Sequence, residues 1–164
     1  MPAINVITPI LGNRYYHIFN RGNNKRPVFL KPDNYLYFLK LFDRYLSPYV
    51  DLLAYCLLEN HFHLLIRAKD QITVSKGMSS FQRDDIPREE AVGKLVSNQF
   101  RRLFISYTMA LNKQEGTGGN LFDRPFKRLE IENEEYLKYL TFYIHFNPEK
   151  HLISRSFKDY PYSS

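Results

Sequence analysis

The chain has 164 residues, 23 Lys and Arg against 17 Asp and Glu for a net charge of +6, and 13 Tyr with 13 Phe. That length bounds it to one domain, 1–164, with room for a real core, and the basic balance makes an anionic partner the first expectation. A single cysteine, Cys56, excludes a disulfide framework, and with no secretory signal and no apolar stretch of membrane-spanning length a cytoplasmic protein with no membrane partner is expected.

In chain order, residues 13–20 (NRYYHIFN) read as a strand, closed by the turn cluster Arg21-Gly22-Asn23-Asn24. The first 32 residues hold Arg14, Arg21, Lys25, Arg26 and Lys31 and no acid. Behind Pro32, the spacing of Tyr35, Leu36, Phe38, Leu39, Leu41, Phe42 and Leu46 predicts a helix capped by Asp33. Residues 51–68 divide into DLLAYCLL and HFHLLIR around Glu59-Asn60, the pattern of a hairpin with a two-residue turn. The polar stretch 69–93, with Gly77, Ser79, Ser80 and Pro87, is the candidate for a mobile connection or an ordinary surface loop. Residues 94–112 have the period of a long amphipathic helix carrying Arg101 and Arg102 on its wet side, and the three glycines of 114–120 make a loop. Residues 126–131 (FKRLEI) alternate as a strand. Asn133 then caps a last helix whose first turn holds Glu134 and Glu135, where the dipole favours acids. Pro148 biases Asn147 away from helical geometry, which predicts that this helix ends there, and 154–164 read as an irregular tail.

Two features carry chemistry. In the second strand of the hairpin, His61, His63, Leu65 and Arg67 fall on one face and Phe62, Leu64 and Ile66 on the other, so the apolar side is expected to meet the core and the histidine side to look outward. Two imidazoles two residues apart can share a divalent cation. They can equally be surface histidines on a half-buried strand, and two ligands leave a metal shell incomplete. On the last helix, Tyr143 lies one turn before Asn147, so phenol and carboxamide share a face. Spacing alone does not choose Tyr143 among thirteen tyrosines, and Tyr107 on the long helix is a second candidate nucleophile without an Asn-Pro beside it.

Four motifs occur in order: NRGNNKRPVF, YCLLENHFHLLIR, GGNLFDRPFKR, and YIHFNPEKH followed by DYPYSS. Together they resemble the REP-associated tyrosine transposases, relatives of the single-tyrosine insertion-sequence transposases of the His-hydrophobic-His (HUH) superfamily. The resemblance runs from about residue 14 to 164. It implies an α+β fold, a ferredoxin-like antiparallel β-sheet with helices packed mainly on one face and the catalytic tyrosine on the C-terminal helix. The element order read from periodicity is compatible with that fold.

The resemblance further implies a metal-dependent single-stranded DNA endonuclease and strand transferase that acts at hairpin-bearing DNA through a 5′-phosphotyrosine. In that scheme Tyr143 is the catalytic nucleophile, and His61, His63 and Asn147 hold Mg²⁺ or Mn²⁺. The phenol needs activation, for which Lys150 and His151 are candidates. DNA-binding residues are expected among Arg14, Arg21, Lys25 and Arg26 and among Arg124, Lys127 and Arg128. Abundant aromatics would suit stacking on unpaired bases, although most are expected in the core. The partner implied is single-stranded or hairpin DNA and the location the nucleoid; monomer and homodimer are both compatible with the sequence. Two other readings stay open: a replication-initiator or relaxase-type nicking enzyme, and a domesticated, inactive nucleic-acid-binding module.

Overall fold

A computed structural model describes residues 7–70 and 88–164, with the side chains of 88 and 89 left aside. The elements follow as β1 (Tyr15–Arg21), α1 (Pro32–Leu46), β2 (Val50–Leu58), β3 (His61–Ala68), α2 (Arg88–Glu115), β4 (Lys127–Ile131) and α3 (Glu134–Lys150), with short 3₁₀ turns at Asn23–Lys25 and Phe157–Asp159. The four strands form one sheet in the order β2-β3-β1-β4, every pairing antiparallel. This βαββαβ order is the ferredoxin-like α+β arrangement, with α3 added at its end.

Strand alternation decides where each layer goes. On one face Tyr16 and Ile18 of β1, Val50 and Leu57 of β2, and Phe62, Leu64 and Ile66 of β3 meet Phe38, Leu41, Phe42 and Leu46 of α1. The same core takes Val92, Val96, Phe100, Leu103, Tyr107 and Leu111 of α2, whose spacings of three and four keep them on one stripe. The opposite face carries Ala54, Cys56, Leu58, Leu65 and Ile131, and Leu140 and Ile144 of α3 pack onto them. Two of the three helices thus lie on one face and α3 covers the other. The histidine face of β3 was expected to look outward; it is instead a second interior, because its apolar residues are enough to seat a helix and leave His63 only 8% exposed.

Local chemistry sets the ends. Glu59-Asn60 is the two-residue turn between β2 and β3. Helix α1 starts at Pro32, and the carboxamide of Asn34, rather than Asp33, accepts from the backbone N–H groups of Leu30 and Lys31. Asn133 caps α3 as expected, its side chain accepting from Tyr136 N at 2.8 Å. That helix does not stop at Asn147. It runs through the buried Pro148 to Lys150, since proline costs a helix one N–H donor and the final turn is still closed by His151 N donating to Asn147 O at 3.0 Å.

Residues 71–87 of the expected 69–93 connection lie outside the described residues, whereas 88–93 are already helical, so α2 begins before Lys94. The tail is more regular than expected. After the turn at Phe157–Asp159 it runs along the outer edge of β2, with Leu57 N donating to Tyr162 O at 2.9 Å and Ser164 N to Tyr55 O at 3.1 Å. Cys56 lies beneath it, fully buried, and burial pushes its thiol up to about 12. Among the described residues no helix is long and apolar enough to cross a membrane.

Candidate active site

Pairing register assembles the site. In the sheet Arg21 faces His61 across the β1–β3 pair, and Phe19 stands between His63 on β3 and Lys127 on β4. The loop after β1 is drawn over this end of the sheet because Gly22 donates to Asn60 O at 2.8 Å, and a Cβ at Gly22 would lie 2.0 Å from the carbonyl of Arg26. Only glycine permits that approach. It sets Lys25 at the rim, with a left-handed φ of 60°.

A cavity of about 390 Å³ results, lined by His61, His63, His151, Arg21, Lys25 and Lys127 together with Phe19, Asn20, Asn60 and Phe62. No acid lines it, so it favours an anion. Lys127 also borders a neighbouring cavity of about 380 Å³ formed by Asn23, Asn120, Phe122, Asp123, Arg124 and Pro125. There Asp123 accepts from Arg21 Nε at 2.7 Å, which fixes the guanidinium between the two cavities.

The imidazoles are arranged in sequence across the sheet. His61 Nδ1 is 2.7 Å from Asn60 Oδ1; a carboxamide oxygen only accepts, so Nδ1 carries the proton and Nε2 keeps its lone pair. His63 Nδ1 is 2.9 Å from Nε2 of the buried His17. The rings of His61 and His63 stand perpendicular with centroids 5.3 Å apart. Burial lowers His17 and His61 to about 4, with the His151 charge adding to the shift of His61. Burial also holds His63 well below 6.5, helped by the charges of its imidazole neighbours and Lys150. All three are neutral at physiological pH, the state a metal ligand requires.

Helix α3 crosses this face. The Tyr143 ring meets His63 edge-on at 5.7 Å, and the His151 ring meets His61 at 5.1 Å. Asn147 lies between them on the same stripe, four residues from each, wholly buried. Its amide nitrogen donates to Tyr143 O at 2.8 Å, and its Oδ1 is the one buried side-chain oxygen or nitrogen among the described residues with no hydrogen-bond partner. The Lys150 ammonium sits 4.7 Å over the Tyr143 ring, and the Tyr139 ring stacks with it at 6.2 Å.

These atoms fit a divalent cation. Two neutral imidazoles have their Nδ1 atoms already engaged, and a buried amide oxygen lacks a donor, a set that oxygen- and nitrogen-binding cations accept. Among the described residues no cluster of three or more His, Cys, Asp or Glu side chains could hold a metal, so a shell here would depend on Asn147.

Not every expected residue converges. Arg14 pairs with Glu130 at 2.6 Å, and Arg128, on the other face of β4, donates to Thr8 O and lies over Phe126. Arg26 ends the short turn outside the cavity lining, and Arg124 reaches only the neighbouring one. Tyr107 is a core residue on the opposite face, 1% exposed, donating to Val28 O at 2.6 Å, with burial raising its phenol well above the usual range. Sequence reading missed His17. Its alternation in YYHIF places it on the face of Tyr15 and Phe19, but only the β1–β3 pairing sets it against His63.

The fold of this chain is similar to that of a solved structure described as the REP-associated tyrosine transposase bound to a REP hairpin. The two align with a TM-score of 0.66 at 18% identity, over 96% of this chain and 79% of that one. Residues 11–85 match the family model of IS200-like transposases. The resemblance carried by the sequence motifs is thereby supported: residues 11–85 are similar to the IS200-like transposases, and the chain shares the fold of the solved REP-associated tyrosine transposase. A putative transposase from Deinococcus radiodurans R1 is also similar, at 14% identity over 87% of this chain and 95% of that one, with a TM-score of 0.38. No curated protein matches.

Proposed function

We propose that this protein is a transposase that cleaves and rejoins single-stranded DNA next to a hairpin, with Tyr143 as nucleophile. The observation that carries the reading is the stripe Tyr143, Asn147, His151 laid across His63 and His61 beside a cavity lined by Arg21, Lys25 and Lys127 and by no acid. Phosphate of the scissile strand would lie against Arg21, Lys25 and Lys127. The hairpin named for the solved relative suggests the kind of DNA to test.

His61, His63 and Asn147 would hold Mg²⁺ or Mn²⁺, and such an ion polarises a phosphoryl oxygen and stabilises developing charge. The chain's own groups do the rest. The Lys150 ammonium lies 4.7 Å over the Tyr143 ring and steadies that side chain through a cation–π contact. Tyr143 Oη forms a bond to phosphorus as the P–O3′ bond breaks; the phenol proton leaves to solvent and the 3′-oxygen takes one up, giving a 5′-phosphotyrosine and a free 3′-hydroxyl. Attack by another 3′-hydroxyl reverses the step and joins strands. A nicking role in replication initiation shares this chemistry, and an inactive binding module would share only the cavity.

The test is incubation with Mn²⁺ and a labelled single strand bearing a hairpin. A denaturation-resistant protein–DNA adduct is expected, lost in Tyr143→Phe and in the His61→Ala, His63→Ala double variant. Tight binding without adduct under any condition would instead identify an inactive module.

A further inference from the structure

We infer that His17 is a positioning residue for His63: its Nε2 accepts a hydrogen bond from His63 Nδ1, and so presets the tautomer in which His63 Nε2 is free to take a cation. This rests on the metal-binding part of the proposed function, but it concerns the protein before any metal is bound.

The two nitrogens are 2.9 Å apart in a buried pair, so one proton lies between them, and its owner decides what the far side of His63 can do. If His63 Nδ1 holds the proton, Nε2 has a lone pair. If His17 Nε2 holds it, the neutral His63 must be protonated at its own Nε2 and cannot ligate there.

Two features favour the first arrangement. His61, the companion ligand, already has its Nδ1 proton fixed by Asn60 Oδ1, so accepting from Nδ1 is how this site orients its other imidazole. Metal-bound histidines generally give their second N–H to such an acceptor.

His17 itself has no evident packing reason to be polar. It is 6% exposed in β1, cross-strand from Leu65 and Leu129, where an aliphatic residue would pack without an unmet polar atom. Phe19 stacks on His17 at 4.6 Å and lies 6.0 Å from His63, with all three ring planes within 29° of one another. The pair is therefore clamped in plane as well as bonded.

The experiment uses the full chain, stripped of metal. Long-range ¹H–¹⁵N NMR of the imidazoles is expected to show His63 protonated at Nδ1 in the wild type and in His17→Gln, whose amide oxygen can accept in place of Nε2. In His17→Phe, which keeps an aromatic ring beside Phe19, that preference is expected to be lost. Calorimetric titration with Mn²⁺ alone should then show binding weakened about 10–100-fold in His17→Phe and largely restored in His17→Gln.

A wild-type His63 protonated at Nε2, or a folded His17→Phe that binds Mn²⁺ as tightly as wild type, overturns the inference. Should His17→Phe not fold, the wild-type and His17→Gln spectra still decide it. Absence of Mn²⁺ binding by wild type, with His63 protonated at Nδ1, would overturn the metal reading and leave the tautomer assignment standing.

Discussion

The Tyr143 ring stands edge-on to the His63 imidazole, centroids 5.7 Å apart and planes at 82°. Tyr143, Asn147 and His151, spanning about two turns, thereby lie across the face that β3 presents, with Asn147 buried in the middle and His151, just past the end of α3, reaching His61. Tyr143 and the histidines His61 and His63 come from elements about 80 residues apart in sequence, and the contact exists because Leu140 and Ile144 seat the helix on Leu65, Cys56 and Leu58.

Tyr143→Phe should abolish the DNA adduct while leaving the melting temperature and hairpin affinity near wild type. Tyr107→Phe should do the reverse. It removes a buried hydroxyl that donates to Val28 O, and the stranded carbonyl costs about 1–3 kcal/mol, with adduct formation per folded molecule unchanged. Gel assay of the adduct with a thermal melt of each variant checks both.

Asn147→Leu is expected to keep or raise the stability of the metal-free protein, because it removes a buried acceptor with no partner, a defect of about 1–3 kcal/mol. The same change should weaken Mn²⁺ binding and eliminate the adduct. A fall in melting temperature together with unchanged Mn²⁺ affinity would mean that Asn147 serves packing only.

Alanine at Arg21, Lys25 or Lys127 should weaken single-strand binding, and each removed phosphate contact should lower the slope of log affinity against log salt by about 1. Alanine at Arg14 or Arg128, which engage Glu130 and Thr8 O, should leave that slope unchanged. Binding isotherms between 50 and 200 mM salt, on the order of the usual working range, separate the two sets.

The metal-free protein should lose stability in mild acid. His17 and His61 take up protons only near about 4 in the folded chain against 6.5 otherwise, and His63 is shifted in the same direction. Between those values the unfolded chain binds more protons, so stability is full above the upper value and falls as pH drops toward the lower one. Thermal melts in chelator at pH values across that window should show the decline, shallower in His17→Gln, which removes one of the three groups.

The hairpin around Glu59-Asn60, the cap at Asn133 and the stripe of α2 were legible because they depend on neighbours in sequence: alternation, a two-residue turn, a side chain reaching its own helix. The continuation of α3 through Pro148 was not, since burial of that turn outweighs the local bias against it. Within the candidate site, the pairing of His61 with His63, and the shared helix face of Tyr143 and Asn147, could be read from spacing alone.

What the sequence by itself determined is this inventory of local faces and the order of the elements that bear them. Tertiary structure alone decided that the histidine face is covered, that Tyr107 belongs to the core, that Arg128 turns away from the cavity, and that His17 meets His63. Each of those depends on which strand pairs with which and on which face of the sheet a helix lands. Such contacts between distant residues are fixed by burial of apolar surface across the whole sheet, and no local periodicity records them.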